Sequence, residues 1–323
     1  MAKFILGNSL RSAFFDTPVL RHSLWFVDLI IVGTVLILAT LLPVAWASAL
    51  GARLGRLSGR FLKRRTRHAR ANLSVALSGT PREEIDELVG QVWENAGALL
   101  AEYPKLPKIA DPRRDFLDID IVEQIPAYHE PDRPAIFVSA HLANWEVIGL
   151  AITRMGIRSC ALYTPPTNPW LDRLLRHYRR ALGCDLVARD HGARALVTAL
   201  KAGRSPIMIT DRWVAQGKPV PLFGLEKLTS TLPARLALRF DVPLVPVQVE
   251  RLPGPRFRVR FHPPIRPSDP TAEPDCQAVD LTRQINETFE QWVRARPGEW
   301  FCTSKIYRST ILQAKLDDYD SLG

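Results

Sequence analysis

The sequence predicts an α/β fold, a mostly parallel central sheet flanked by helices, with an N-terminal hydrophobic membrane anchor. From about residue 116 short apolar runs alternate with longer helical patterns, and strands separated by helices of this length pair in parallel. The anchor rests on a second observation. Between Leu29 and Ala52 no residue is charged, and its first half is rich in Ile, Leu and Val. A membrane-spanning helix needs about 20 predominantly apolar residues, and this stretch reaches that length.

At 323 residues the chain is long enough for one sizeable α/β domain and an appendage. Its 46% hydrophobic and 24% charged content is that of a globular protein and excludes wholesale disorder. The net charge of +10, from 43 Lys+Arg against 33 Asp+Glu, draws it toward a polyanion, either nucleic acid or an anionic membrane surface. The cysteines (Cys160, Cys184, Cys276, Cys302) are far apart and form no metal-binding spacing, so they are expected as reduced thiols and no metal is expected.

The elements follow in order. Residues 1–52 form the N-terminal segment, with the anchor helix expected at about 29–52. Pro43 falls inside it and kinks or ends the helix, so the segment either spans or enters one leaflet and returns. Arg53, Arg56, Arg60, Lys63, Arg64, Arg65, Arg67 and Arg70 come next, with no acidic residue until Glu83. Positive charge beside a hydrophobic span marks its cytoplasmic side and attracts anionic headgroups. This distribution favours a membrane over nucleic acid, for which no motif is present. Residues 53–112 are a basic and amphipathic helical region. Within it the spacing of Ile85, Leu88, Val89, Val92, Trp93 and Ala96 predicts a helix over 81–103, capped by Thr80 with Glu83 closing a capping box.

Residues 113–323 carry the α/β domain. Strands are expected at 135–140, 159–163, 206–210, 243–250 and 256–261. Helices are expected at 145–154, 171–182, 193–201, 233–240 and 278–295.

Chemistry concentrates in the segment 139–146, Ser-Ala-His-Leu-Ala-Asn-Trp-Glu. His141 sits just past the carboxyl end of an apolar strand, where open α/β sheets collect reactive groups. The five-residue spacing lets the Glu146 carboxylate reach the imidazole. A hydroxyl is a weak nucleophile and needs a base at hydrogen-bond distance, and a carboxylate behind that base stabilises the imidazolium formed. Arg173, Arg176, Arg179 and Arg180 place guanidinium groups, which suit phosphate, on one short helix.

His141-Leu-Ala-Asn-Trp-Glu146 resembles the H-x4-D/E block of the lysophospholipid acyltransferase superfamily. Its Asn-Trp-Glu form is similar to the branch of lipid A late acyltransferases. Further blocks carry the likeness over nearly the whole chain: Arg67-His-Ala-Arg-Ala-Asn-Leu73, Asn168-Pro-Trp-Leu-Asp172 with Arg179, Asp211-Arg-Trp213, Pro219-Val-Pro-Leu-Phe-Gly224, Thr229-Ser-Thr-Leu-Pro-Ala-Arg235 and Pro297-Gly-Glu-Trp-Phe301. Four positions depart from the family pattern: Arg212 stands where Gln or His is commoner, Glu299 where Gln is usual, and Ser304-Lys305 replaces His-Arg.

The resemblance implies an inner-membrane enzyme facing the cytoplasm. It would move a lauroyl- or myristoyl-type chain from acyl-carrier protein or acyl-CoA to a hydroxyl of a lipid A precursor, without a cofactor. His141 and Glu146 would be the catalytic pair. Asn144, Asn168, Arg176, Arg179, Asp211, Gly224, Thr229, Ser230, Thr231 and Arg235 would contact substrate, with Arg179 on its phosphate. Membrane phospholipids are the expected surroundings, and nucleic acid is not an expected partner. Another glycolipid acceptor, such as a phosphatidylinositol mannoside, is the alternative within enzymes. Outside them the alternative is a non-catalytic membrane-bound scaffold.

Overall fold

The computed structural model describes residues 17–321 apart from Pro131, Asp190 and His191, so part of the expected N-terminal segment lies outside the described residues. The anchor differs from the expected 29–52. Helix α1 runs Pro18–Leu41 and α2 runs Val44–Phe61, so the uncharged stretch is divided between two helices. Pro43 causes the break, because it has no N–H to give the preceding turn and its ring blocks continuation. At the other end, Arg21 and Asp28 do not interrupt α1. Val19–Leu41, with a mean hydropathy of 2.4, is long and apolar enough to cross a membrane.

Helix α2 has two unlike faces. Gly51, Gly55 and Gly59 are buried against α4 (Arg82–Glu102). A Cβ at Gly51 would stand 2.5 Å from the carbonyl oxygen of Gly97, so only glycine permits this approach. Trp46, Leu50, Leu54, Leu57 and Phe61 recur every three or four residues and are exposed, as are Phe26, Ile30, Ile37 and Leu41 of α1. Contiguous exposed apolar surface of this extent marks an interaction face. Helix α1 is tied to the body at its end by the buried Lys105, whose Nζ donates to the carbonyls of Leu42 at 2.5 Å and Thr40 at 2.8 Å.

After α2 come α3 (Lys63–Ala76), α4 and α5 (Leu106–Ala110). Two of the eight basic side chains are neutralised by α4: Arg56 by Glu87 at 2.5 Å and Glu94 at 2.8 Å, Arg70 by Asp86 at 2.6 Å. The expected capping box at Thr80 does not form. Pro81 is the residue before α4, and no side chain caps its first turn.

The α/β body runs β1 (Leu117–Ile121), β2 (Ile136–Ser139), α6 (Val147–Arg154), β3 (Ser159–Tyr163), α7 (Pro169–Arg179), β4 (Asp185–Ala188), α8 (Gly192–Lys201), β5 (Ser205–Ile209), β6 (Lys218–Leu222), β7 (Leu225–Thr229), α9 (Leu232–Phe240), β8 (Leu244–Leu252), β9 (Arg256–Phe261), α10 (Pro274–Ala295) and α11 (Ser309–Ser321). Seven strands form one sheet in the order β1-β9-β8-β2-β5-β3-β4, parallel except where β8 meets β9. The mostly parallel sheet flanked by helices is the predicted fold class. Strands β2 and β8 are buried along most of their length, as parallel strands covered on both faces should be. Strands β6 and β7 form a separate two-stranded hairpin. Phe223 and Gly224 make its turn at φ 51° and 74°, and its prolines are tolerated because such a ribbon has free edges.

Candidate active site

Strand register builds the site. Ser139 pairs with Ile209 across β2 and β5, and Thr210 N donates to Ser139 O at 2.9 Å. His141 and Asp211 each lie two residues beyond that pair and therefore emerge side by side. His141 Nδ1 and Asp211 Oδ1 are 2.5 Å apart, and the second carboxylate oxygen accepts from Trp300 Nε1 at 2.9 Å. Asp211 and Trp300 are buried, at 2% and 1% exposure. With Nδ1 committed, Nε2 is the nitrogen left for substrate.

The loop holding His141 is strapped to the C-terminal segment. Phe301 N donates to His141 O at 2.8 Å and Ala143 N to Glu299 O at 2.9 Å. Ala143 adopts φ 46°, a left-handed conformation that L-residues avoid, and Asn95 Nδ2 of α4 fixes its carbonyl at 3.1 Å. Trp145 meets the imidazole edge-on, with ring centroids 4.8 Å apart, and stacks on Phe301.

Glu146 takes a different partner from the one its spacing suggested. Arg179 Nε and a terminal nitrogen reach its two oxygens at 3.0 and 2.5 Å, and the Tyr103 hydroxyl donates at 2.6 Å. The carboxylate hydrogen-bonded to His141 is thus Asp211. The Arg179 guanidinium, expected on substrate phosphate, is already held by Glu146 in a buried pair.

Burial pushes the His141 pKa below the usual imidazole value against the pull of Asp211, and Arg212 adds to the lowering. The imidazole is consequently neutral at neutral pH and able to accept a proton. Burial acts to raise the carboxyl pKa of Asp211, but the imidazole and the Trp300 bond hold it well below the ordinary range. Glu146 is likewise held low despite burial, chiefly by the charge of Arg179. Beneath Asp211 lies the fully buried Lys227, whose Nζ donates to Asp211 O at 3.0 Å. Burial brings its pKa down to about 8, with Asp211 opposing.

A cavity of about 640 Å³ opens beside these groups. His141, Trp145, Glu146, Arg179, Arg212 and Ser230 border it, and Leu162, Leu182, Leu186, Ile207 and Met208 give it an apolar interior. The remaining expected contacts do not border it. Asn144 is buried and donates to Glu102 at 2.9 Å. Asn168 caps α7, accepting from Trp170 N at 3.0 Å, and its amide donates to Trp25 O of α1 at 2.8 Å. Arg176 is exposed, Gly224 turns the hairpin, and Arg235 pairs with Asp275 at 2.9 Å. Thr229 Oγ1 donates to Lys227 O and Thr231 Oγ1 accepts from Arg235, so both serve the approach to α9. Sequence reasoning missed Tyr103, Lys227 and the role of Trp300. Only Trp300 left a signal, since it stands in the quoted block 297–301.

An imidazole with one nitrogen committed and the other available beside an apolar cavity suits removal of a proton from a hydroxyl that reacts there. The chain is an acyltransferase. It belongs to the family described as bacterial lipid A biosynthesis acyltransferase, which it matches over residues 14–309. The lipid A biosynthesis myristoyltransferase of Escherichia coli K12 is 25% identical over 280 residues, covering 83% of each chain. The lauroyltransferase of the same organism is 24% identical over 300 residues, covering 91% of this chain and 95% of that one. A lipid A biosynthesis acyltransferase of Haemophilus influenzae is 21% identical over 285 residues, covering 85% of each.

Proposed function

We propose that the enzyme transfers a fatty acyl chain from a thioester, on acyl-carrier protein or CoA, to a hydroxyl of a lipid A precursor, with His141 as general base. The observation that carries this reading is the 2.5 Å contact of His141 Nδ1 with a buried carboxylate beside the cavity. Nε2 takes the hydroxyl proton as the oxygen attacks the thioester carbonyl. The tetrahedral intermediate then expels the thiolate, which recovers that proton from the imidazolium. Asp211 stabilises the transient positive charge. Glu146 contributes differently, by holding Arg179 at the cavity wall.

The cavity receives the acyl chain, and the uncovered apolar faces of α1 and α2 lie in the cytoplasmic membrane. Arg53, Arg60, Lys63, Arg64 and Arg67, exposed on α2 and α3, meet anionic headgroups on the cytosolic side. The test is acyl transfer by purified His141→Ala protein. General-base assistance contributes about 10²–10⁴-fold, so a loss of that size with the fold intact is expected, and an ordinary rate refutes the mechanism. Mass spectrometry of lipids from cells lacking the enzyme identifies the acceptor: loss of one chain from lipid A is expected, and loss from another glycolipid refutes that choice.

A further inference from the structure

With Arg179 bound by Glu146, Arg212 is a second guanidinium beside the cavity, and among the described residues it forms no salt bridge with a carboxylate. Its Nε is buried without a hydrogen-bond partner, and its guanidinium lies 5.8 Å from the centre of the Phe301 ring. Asp211 is the adjacent carboxylate, but both of its oxygens are committed to His141 and Trp300. Besides the attraction of Asp211, Arg212 feels the like charge of Arg65 of α3, and the two repel. Lys305 lies 5.2 Å from the ring centre of Trp213, whose Nε1 also lacks a partner, as does Thr210 Oγ1. Lys305 and Arg64 in turn act on His68, one turn along α3 from Arg65. Arg65, His68, Arg212 and Lys305 thus converge from three segments on one place.

We propose that this basin, with Arg212 at its centre and Arg65 and Lys305 at its rim, receives a phosphate monoester of the acceptor lipid while its hydroxyl reacts at His141. The inference rests on the reading of the enzyme as a lipid acyltransferase and adds the group by which the acceptor is held. A guanidinium offers phosphate two parallel hydrogen bonds, and a dianion relieves the repulsion between Arg212 and Arg65. Position favours the acceptor as the source. Helix α3 follows directly on the exposed Phe61 at the end of the apolar face, so a lipid seated there brings its headgroup to these cations.

Full-chain protein in detergent micelles, wild type and Arg212→Gln, would be assayed with a phosphorylated disaccharide acceptor and with the same lipid after phosphatase treatment. The expected result is a KM for the phosphorylated acceptor raised roughly tenfold or more. The KM advantage of the phosphorylated over the dephosphorylated acceptor should shrink by the same factor, with donor KM little changed. Arg65→Gln, at an exposed position, should give a smaller rise of the same kind, and Arg212→Lys a partial rescue.

A rise in donor KM instead assigns the phosphate to the donor and overturns the proposal. So does weakened binding to phosphatidylglycerol vesicles with unchanged kinetics. Calorimetric titration with glucosamine 1-phosphate against glucosamine decides the matter even if no lipid is turned over. Wild type should bind only the phosphate, and Arg212→Gln should bind it roughly tenfold more weakly. Equal binding by both proteins refutes the basin alone.

Discussion

Two buried carboxylates stand near His141, and their partners divide the work between them. Asp211 faces an imidazole and an indole, neither of which carries a permanent charge. Glu146 faces the guanidinium of Arg179, which does. A carboxylate opposite a fixed cation is already compensated and has little left to offer when a proton arrives nearby. A carboxylate opposite a neutral imidazole gains a charged partner at the moment of proton transfer. Closeness in sequence pointed to Glu146 as the helper, whereas the proposed mechanism gives that part to Asp211, the carboxylate in contact with His141.

The largest effect that separates the two is on rate. Asp211→Asn should lower turnover about 10²–10⁴-fold with little effect on substrate KM. The acid limb of any residual activity should move to lower pH, because the imidazolium loses the charge that stabilises it. In the wild type that limb should already lie below the ordinary imidazole value, since burial depresses it. A pH–rate profile checks both, and an unmoved limb in Asp211→Asn breaks the assignment.

The next effect is on stability. Glu146→Gln leaves the Arg179 charge buried without its counter-ion, a loss of about 3–5 kcal/mol. The variant should denature at lower urea, and Glu146→Gln with Arg179→Met should recover most of the loss. Because the folded carboxyl pKa is depressed from its usual 4.5, its contribution is complete above that value and disappears as pH falls through the folded one. The glutamine variant should lack this acid dependence. A loss of rate as large as that of Asp211→Asn, with normal stability, would restore Glu146 as the catalytic partner.

The smallest effect concerns Trp300. Trp300→Phe removes one donor from Asp211 and makes its carboxylate more basic, so the imidazolium is better stabilised. The acid limb should rise by less than about 1 pH unit, opposite in direction to Asp211→Asn. A fall would show that the indole acts only through packing.

The position of His141 was legible because an apolar strand stops just before it, and Asp211 was legible as a site residue through its block 211–213. Their pairing was not, because it depends on β2 and β5 being adjacent. A sequence states where parallel strands begin and end, but the order in which they lie depends on the packing of their crossover helices. The role of Arg179 was hidden for a similar reason: helical spacing puts it on a face with Arg176, yet Glu146 draws it inward while Arg176 stays in solvent. The start of α1 was misplaced because charge was treated as a boundary, and Arg21 and Asp28 are accommodated within the helix. The glycines at 51, 55 and 59 were visible as a four-residue repeat, but their meaning depends on Gly97 lying opposite.

The strap between His141 and Phe301 also sets an order of assembly. The ribosome makes the N-terminal helices before the Glu299–Phe301 segment. The apolar helices are therefore formed while the imidazole still lacks its support and Asp211 still lacks the indole. On the proposed reading, a chain ending before residue 299 carries its apolar helices but lacks the strap that holds the His141 loop. On the proposed mechanism, the support of His141 and the indole bond to Asp211 are complete only after residue 301 has been made.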